Sequence, residues 1–218
     1  MANDRYVEIA IGHPGNRGVI ISLLDLPQYI NQSQSLFRSY YAFDKELVEH
    51  FKVRKTIKNY LGNYYLDRII FDIDKGSNSN EKCLDTAQEF LNKLIKTLEA
   101  SEMSSDIEEY VQCWFSGRGF HFCIPNVFKF EPSNNLPEIV KTTIKHYFPE
   151  GDNIYDGARL IRVGQTVNEK SGLYKIPLDV NEVLYGTAEE IRTLAKSQRL
   201  DFKPISIKNP EQLLDIIY

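Results

Sequence analysis

Hydrophobic residues recur along this chain with two different periods. Leu84, Ala87, Leu91, Leu94, Ile95 and Leu98 fall at helical spacing and predict an amphipathic helix over roughly residues 81–100. The polar stretch Gly76-Ser77-Asn78-Ser79-Asn80-Glu81 before it reads as a loop running into a helix N-cap. Further helices are expected over about 44–60, near 136–148, and as short pieces near 187–198 and 209–217. Strands are expected between them: Tyr6–Ala10, Val19–Leu23, Arg68–Asp74, Tyr110–Phe115, Phe120–Ile124, Leu160–Val163 and Leu173–Leu178. Mixed strands and helices in this order predict an α+β or α/β domain. No linker rich in Pro, Gly or Ser divides the chain, and no internal repeat is present.

Composition narrows the picture. The chain has 218 residues, 42% hydrophobic and 26% charged, which is ordinary for a globular domain. A chain of this size buries roughly 70% of its unfolded surface and needs no disulfide or metal to fold. No apolar run reaches the roughly 18 residues of a membrane span, and no signal peptide opens the chain, so no membrane and a cytoplasmic location are expected. Cys83, Cys113 and Cys123 form no CxxC pair and read as small buried hydrophobes. A formal net charge of −4 excludes a globally basic nucleic-acid binder but not a locally basic groove.

Three stretches carry chemistry. In Ile69-Ile70-Phe71-Asp72-Ile73-Asp74, strand alternation points Asp72 and Asp74 the same way, with Cα atoms about 6.6 Å apart. Two carboxylates so placed suit hard divalent cations, Mg²⁺ or Mn²⁺. In Phe115-Ser116-Gly117-Arg118-Gly119-Phe120-His121, two glycines permit a tight turn, while Ser116, Arg118 and backbone N–H groups suit phosphate oxygens. Alternation on the returning strand puts His121 and Cys123 on one face and Phe120 and Phe122 on the other. The third stretch runs from Asp152 through Asp156, Arg159 and Arg162 to Asn168-Glu169-Lys170-Ser171-Gly172 and a last strand. Basic groups beside carboxylates balance a metal–triphosphate ligand. Taken singly, each stretch also has an ordinary reading: a solvated strand end, a hairpin turn with a satisfied histidine, a surface hairpin laced with weak ion pairs.

Together, and in this order, the three stretches resemble the archaeo-eukaryotic primase superfamily, over roughly residues 35–185. The resemblance implies an α+β primase catalytic core, with mixed or antiparallel sheets flanked by helices in a two-lobed single domain spanning 1–218. It implies that Asp72 and Asp74 bind two divalent ions, Mg²⁺ or Mn²⁺. Ser116, Gly117, Arg118, Gly119 and His121 would then hold the phosphates of an NTP or dNTP, with Arg159, Arg162, Asn168 and Lys170 around the triphosphate. The third carboxylate is Asp152 or Asp156. Asp152, seven residues before Arg159, comes nearer the family's spacing; Asp156, three before it, follows an aromatic residue, as the family's hydrophobic–Asp pattern asks. The cysteine/histidine zinc element of archaeal and eukaryotic primase small subunits is missing, which favours the compact phage or plasmid type.

The activity implied is template-dependent nucleotidyl transfer, as a DNA primase or primase-polymerase on single-stranded DNA. The length leaves little room for a helicase or an initiation domain, so a helicase or accessory primase subunit is an expected partner. The basic run Lys52–Lys58 is a candidate template surface, and equally a solvated helix face. Two other readings use the same residues: a nucleotidyltransferase that copies no template or joins ends, and a non-catalytic module that grips single strands through aromatic side chains.

Overall fold

The structure, a computed structural model, describes residues 5–31, 34–100 and 110–202. The chain opens with a hairpin, β1 (Tyr6–Ile11) and β2 (Arg17–Ser22), then a 3₁₀ turn (Leu23–Tyr29) capped by the Ser22 hydroxyl. β3 (Leu36–Ser39) and β4 (Ala42–Phe43) lead to α1 (Glu46–Arg54) and β5 (Tyr64–Tyr65). β6 (Arg68–Ile73) and α2 (Asn80–Ala100) are followed by the hairpin β7 (Gln112–Phe115) and β8 (Phe120–Pro125). α3 (Leu136–Tyr147) precedes four short strands: β9 (Leu160–Arg162), β10 (Val167–Asn168), β11 (Leu173–Tyr174) and β12 (Ile176–Leu178). α4 (Val180–Tyr185) and α5 (Ala188–Leu194) close the described chain.

These strands form two antiparallel sheets and a small ribbon. The first runs β5-β4-β1-β3-β9, with β2 on the other edge of β1; the second runs β12-β7-β8-β6; β10 and β11 pair alone. The architecture is therefore mixed α+β, with helices flanking antiparallel sheets. Among the described residues no helix is long and apolar enough to cross a membrane.

α2 lies across the second sheet. Its face of Leu84, Ala87, Leu91, Leu94 and Leu98 is buried together with Phe90, whose ring meets Phe71 of β6 and stacks near Phe122 of β8, with centroids 5.2 and 5.8 Å away. Burying such side chains contributes on the order of 2 kcal/mol each. At the N-terminus the Ser79 hydroxyl accepts from the Lys82 amide at 3.1 Å, the cap that the polar loop predicts.

β6 is an edge strand, and its free edge is closed by tyrosine hydroxyls rather than by another strand. Tyr40 Oη donates to the Arg68 carbonyl and accepts from the Ile70 amide, while Tyr155 Oη donates to the Ile70 carbonyl at 2.9 Å. Tyr41 Oη in turn bonds the Tyr155 carbonyl. This tyrosine seam joins the two sheets and satisfies a backbone edge that would otherwise be open. Arg68 and Ile70, on the same face of β6 as Asp72, are buried, so that face opens to solvent only at Asp72.

Several elements depart from the sequence expectation. The helix predicted over 44–60 stops at Arg54, because Lys55 turns left-handed (φ 54°) and Asn59 does so again (φ 59°). The strand predicted over Leu173–Leu178 is two strands: β11 pairs with β10, then the chain changes sheets at Lys175, and β12 pairs with β7. α5 is shorter than 187–198. β3, β4, β5, β10 and α4 were not predicted. The helix expected near 209–217 lies outside the described residues.

Candidate active site

The cleft forms where the two sheets meet. It measures about 300 Å³ and is lined from both sides, by Asp72, Asp74, Ser116, Arg118 and His121 on one and by Phe37, Arg159, Arg162, Asn168 and Lys170 on the other.

The carboxylate wall comes from the end of β6. Asp72 is the partner of His121 in the β6–β8 register, and His121 is the partner of Trp114 in the β7–β8 register, so the three stand in one row across the sheet. Asp74 lies just past the strand, exposed, with Oδ1 accepting from the Gly76 amide at 3.5 Å. The β7–β8 turn is pressed against this strand end. The Ser116 amide donates to the Gly119 carbonyl at 2.8 Å, and the Gly119 amide donates to Ser116 Oγ at 3.1 Å. Gly119 has no room for a side chain: a Cβ there would stand 2.3 Å from the Ile73 carbonyl oxygen. Gly117 (φ 87°) packs on Asn168, whose Cβ would be 2.7 Å from an added one. Neither glycine lines the cleft; both set the turn that carries Ser116 and Arg118 into it.

The third stretch is bound to that turn through one atom. Arg162 donates to the Ser116 carbonyl oxygen at 2.8 Å, and Asn168 Nδ2 donates to the same oxygen at 3.0 Å. The Arg162 guanidinium also lies 5.0 Å from the centre of the Phe37 ring. Lys170, exposed at the cleft mouth, sits on a turn fixed by its own amide donating to Asn168 Oδ1.

The electrostatics are dominated by burial. The Asp72 carboxyl is pushed up to about 7 by burial first, then by the charges of Asp152 and Asp74. His121 is pushed well below its ordinary value by burial and by the nearby Lys175 and Arg162. Its Nε2 stands 3.4 Å from Asp72 Oδ1, while its Nδ1 is buried without a hydrogen-bond partner. A buried N–H without an acceptor is costly, so the proton belongs on Nε2, facing Asp72. His121 is thus a neutral imidazole. Its Nε2 faces Asp72 Oδ1, and with its basicity lowered it would meet a phosphate as a neutral donor rather than as a cation. Arg162 is lowered by burial to about 10 and stays charged at neutral pH.

The two alternatives for a third carboxylate are separated by geometry. Asp152 lies beside β6, its amide 3.4 Å from the Asp72 carbonyl oxygen, and it raises the Asp72 carboxyl. Asp156 is turned away: its Oδ2 accepts from Arg159 Nε at 3.1 Å, its Oδ1 accepts from the Ala158 amide, and it lines a different groove. Neither lines the cleft itself, and among the described residues no three His, Cys, Asp or Glu side chains stand together as a ready ligand set.

Two contributions were not legible as such. His13 and Pro14, from the β1–β2 turn, and Ser35 also line the cleft. The glycine-bracketed run Gly12-His13-Pro14-Gly15 is the signal that marks the turn. Lys175 lies fully buried behind the site. Its Nζ donates to the Arg162 carbonyl at 2.7 Å and lies 5.4 Å from the Trp114 ring centre, and burial lowers it to about 8.

No family model, curated protein or solved structure matches this chain.

Proposed function

We propose that this cleft seats a nucleoside triphosphate, NTP or dNTP, and transfers its nucleotidyl group to a strand end on single-stranded DNA, as a primase or primase-polymerase does. The observation that carries the reading is the shared Ser116 carbonyl. Through it Arg162 and Asn168 clamp the turn bearing Arg118 to the wall bearing Arg159 and Lys170, opposite Asp72 and Asp74. Asp72 and Asp74 then face the cations Arg159, Arg162 and Lys170 across the cleft, with Arg118 at the carboxylate side and Glu169 beside Lys170, a mix of carboxylates and cations that suits a metal-bound triphosphate.

The donor set fits a hard divalent ion. Burial first, and then the charges of Asp152 and Asp74, raise the Asp72 carboxyl to about 7, and a Mg²⁺ or Mn²⁺ ion would offset the gathered negative charge. Asp72 and Asp74, with Asp152 beside them, would hold it, and when bound it supplies charge stabilisation and acidifies the attacking hydroxyl. The protein's own groups do the rest. His121 Nε2–H orients Asp72 Oδ1. Arg118 and Lys170 meet the phosphate oxygens from the cleft mouth, and Arg159 and Arg162 from its wall. In the transfer, the 3′-oxygen bonds the α-phosphorus, the bond from that phosphorus to the bridging oxygen breaks, pyrophosphate leaves, and the hydroxyl proton passes to water. Catalysis of this kind is positioning and electrostatic stabilisation.

The test is synthesis on single-stranded DNA with labelled nucleotides and Mg²⁺ or Mn²⁺, with and without primer, beside Asp72→Ala and Asp74→Ala. Template-directed products that vanish in both variants are expected. Metal-independent strand binding with no incorporation would overturn the reading in favour of a binding module.

A further inference from the structure

A second groove opens on the other side of Arg159. It encloses about 680 Å³, more than twice the volume of the cleft at about 300 Å³, and Arg159 lines both. Its floor includes Tyr64 and Tyr155, both buried, and its sides carry the amides of Asn59, Asn134, Asn135 and Asn153. Among the described residues none of these four side-chain amides makes a hydrogen bond within the protein; all four are exposed. Lys58 and Lys141 reach in from either side, neither in an ion pair among the described residues, against one unpaired carboxylate, Glu138. Asp156 is taken up by Arg159. The rim is shaped for close approach: a Cβ on Gly157 would stand 2.8 Å from the Tyr64 ring, so the loop rests directly on it.

We infer that this groove seats a single-stranded oligonucleotide next to the triphosphate, an inference that rests on the nucleotidyl-transfer reading of the cleft. The lining is not that of an anion site. Its net charge is small, whereas side-chain amides, each with two donors and an acceptor, match base edges and sugar oxygens. The two lysines match the phosphates between nucleotides. Arg159, held by Asp156 Oδ2 and by the Asn153 carbonyl at 3.1 Å each, stands as the divider between strand and triphosphate. Lys58 also ends the basic run that begins at Lys52 and continues through Arg54 and Lys55, all of them exposed.

The strand is tested with fluorescein-labelled (dT)12 by anisotropy, and the triphosphate separately with dATP and Mn²⁺ by calorimetry. Two variants suffice, Lys58→Glu/Lys141→Glu and Asn134→Ala/Asn135→Ala; Asn135 makes no capping bond, so the second leaves α3 intact. The lysine variant is expected to lose at least about tenfold in (dT)12 affinity. Its log–log salt slope should be shallower by about 1.4, the share of two phosphate contacts on a single strand. The asparagine variant should weaken (dT)12 with the slope unchanged, and dATP binding should survive in both. If both variants hold (dT)12 as the wild type does, the groove is not the strand's seat. If (dT)12 and dATP affinities fall together in a folded lysine variant, the two sites are one and the inference fails. Absence of dATP binding in the wild type would instead sink the reading of the cleft, with the strand result judged on its own. Photocrosslinking from 4-thiothymidine to residues 134–141 identifies the strand: the 3′-terminal base for the strand being extended, an interior base for the template. Crosslinks outside the groove from both positions overturn the assignment.

Discussion

His121 Nε2 stands 3.4 Å from Asp72 Oδ1, yet the two are not an ion pair, because burial and neighbouring cations keep the imidazole neutral while burial and neighbouring carboxylates hold the carboxyl's proton. The folded protein therefore binds a proton at Asp72 that the unfolded chain gives up near its ordinary value of 3.8. In metal-free protein, stability should fall as pH rises from about 4 through about 7, by at most about 4 kcal/mol, and stay low above that. Asp72→Asn should flatten this slope and raise the melting temperature at pH 8 by about 5 °C, while abolishing synthesis. Melting curves in chelator from pH 5 to 8.5 decide it; a slope unchanged in the variant would remove Asp72 as its source.

Divalent ion should act in the opposite sense. Since the ion relieves repulsion only when Asp72 is ionised, millimolar Mn²⁺ should raise the melting temperature at pH 8 and do little at pH 5. The gain should disappear in Asp72→Asn. A gain equal at both pH values would put the ion elsewhere.

Asp152 and Asp156 should separate cleanly in mutants. Asp152 acts on the Asp72 carboxyl, so Asp152→Asn should cost synthesis on the order of 10²-fold in kcat. Asp156 orients Arg159 in an exposed pair, so Asp156→Asn should raise KM and leave kcat within about tenfold, with a stability change under about 1 kcal/mol. Steady-state kinetics with the two variants side by side would show the reverse ordering if Asp156 were the third carboxylate.

How much of this could be read from sequence follows from burial. α2 and the strands bearing Asp72 and His121 are legible because one face is apolar and the other is not. β3, with Leu36, Phe37, Arg38 and Ser39 all buried, offers no alternation to read, so the place of Phe37 in the cleft's second wall was invisible. The short α4 does carry its signal, a capping box between Asp179 and Glu182, but six residues give no periodicity to support it. The three chemical stretches were legible as residue types. That the second and third of them meet at the Ser116 carbonyl was not, since contacts spanning 46 and 52 residues leave no local pattern. Lys175 was hidden for a related reason: its sheet-switching position breaks what reads as one continuous strand.

The turn geometry gives a sharper test of positioning. Gly119→Ala drives a Cβ toward the Ile73 carbonyl and must push the turn off β6, which should cost about 1–3 kcal/mol in urea unfolding. Because Arg118 moves with the turn, KM for the triphosphate should rise as well. Gly172→Ala is the control: nothing stands within 4 Å of an added Cβ, and only its positive φ of 71° is penalised, at about 1 kcal/mol. Equal KM effects in the two variants would mean that the turn's seat on β6 does not govern the site.

Lys175 is where charge and packing can be told apart. Its ammonium is buried, which lowers it to about 8, and its field lowers the carboxyl of Asp72 against the larger effect of burial. Lys175→Met keeps the volume over Trp114 and removes the charge. The variant takes the donor from the Arg162 carbonyl, so it should fold with a stability loss of about 1–3 kcal/mol. Without the ammonium, the Asp72 carboxyl rises above about 7, and the pH profile of synthesis should move to higher pH by a measurable fraction of a unit or more. Lys175→Arg, which keeps a charge but not the fit, should lose stability and leave the profile close to where it was. A Lys175→Met protein that is folded and active with an unmoved profile would make Lys175 a packing residue only, and would mean that the field at Asp72 is set by the carboxylates alone.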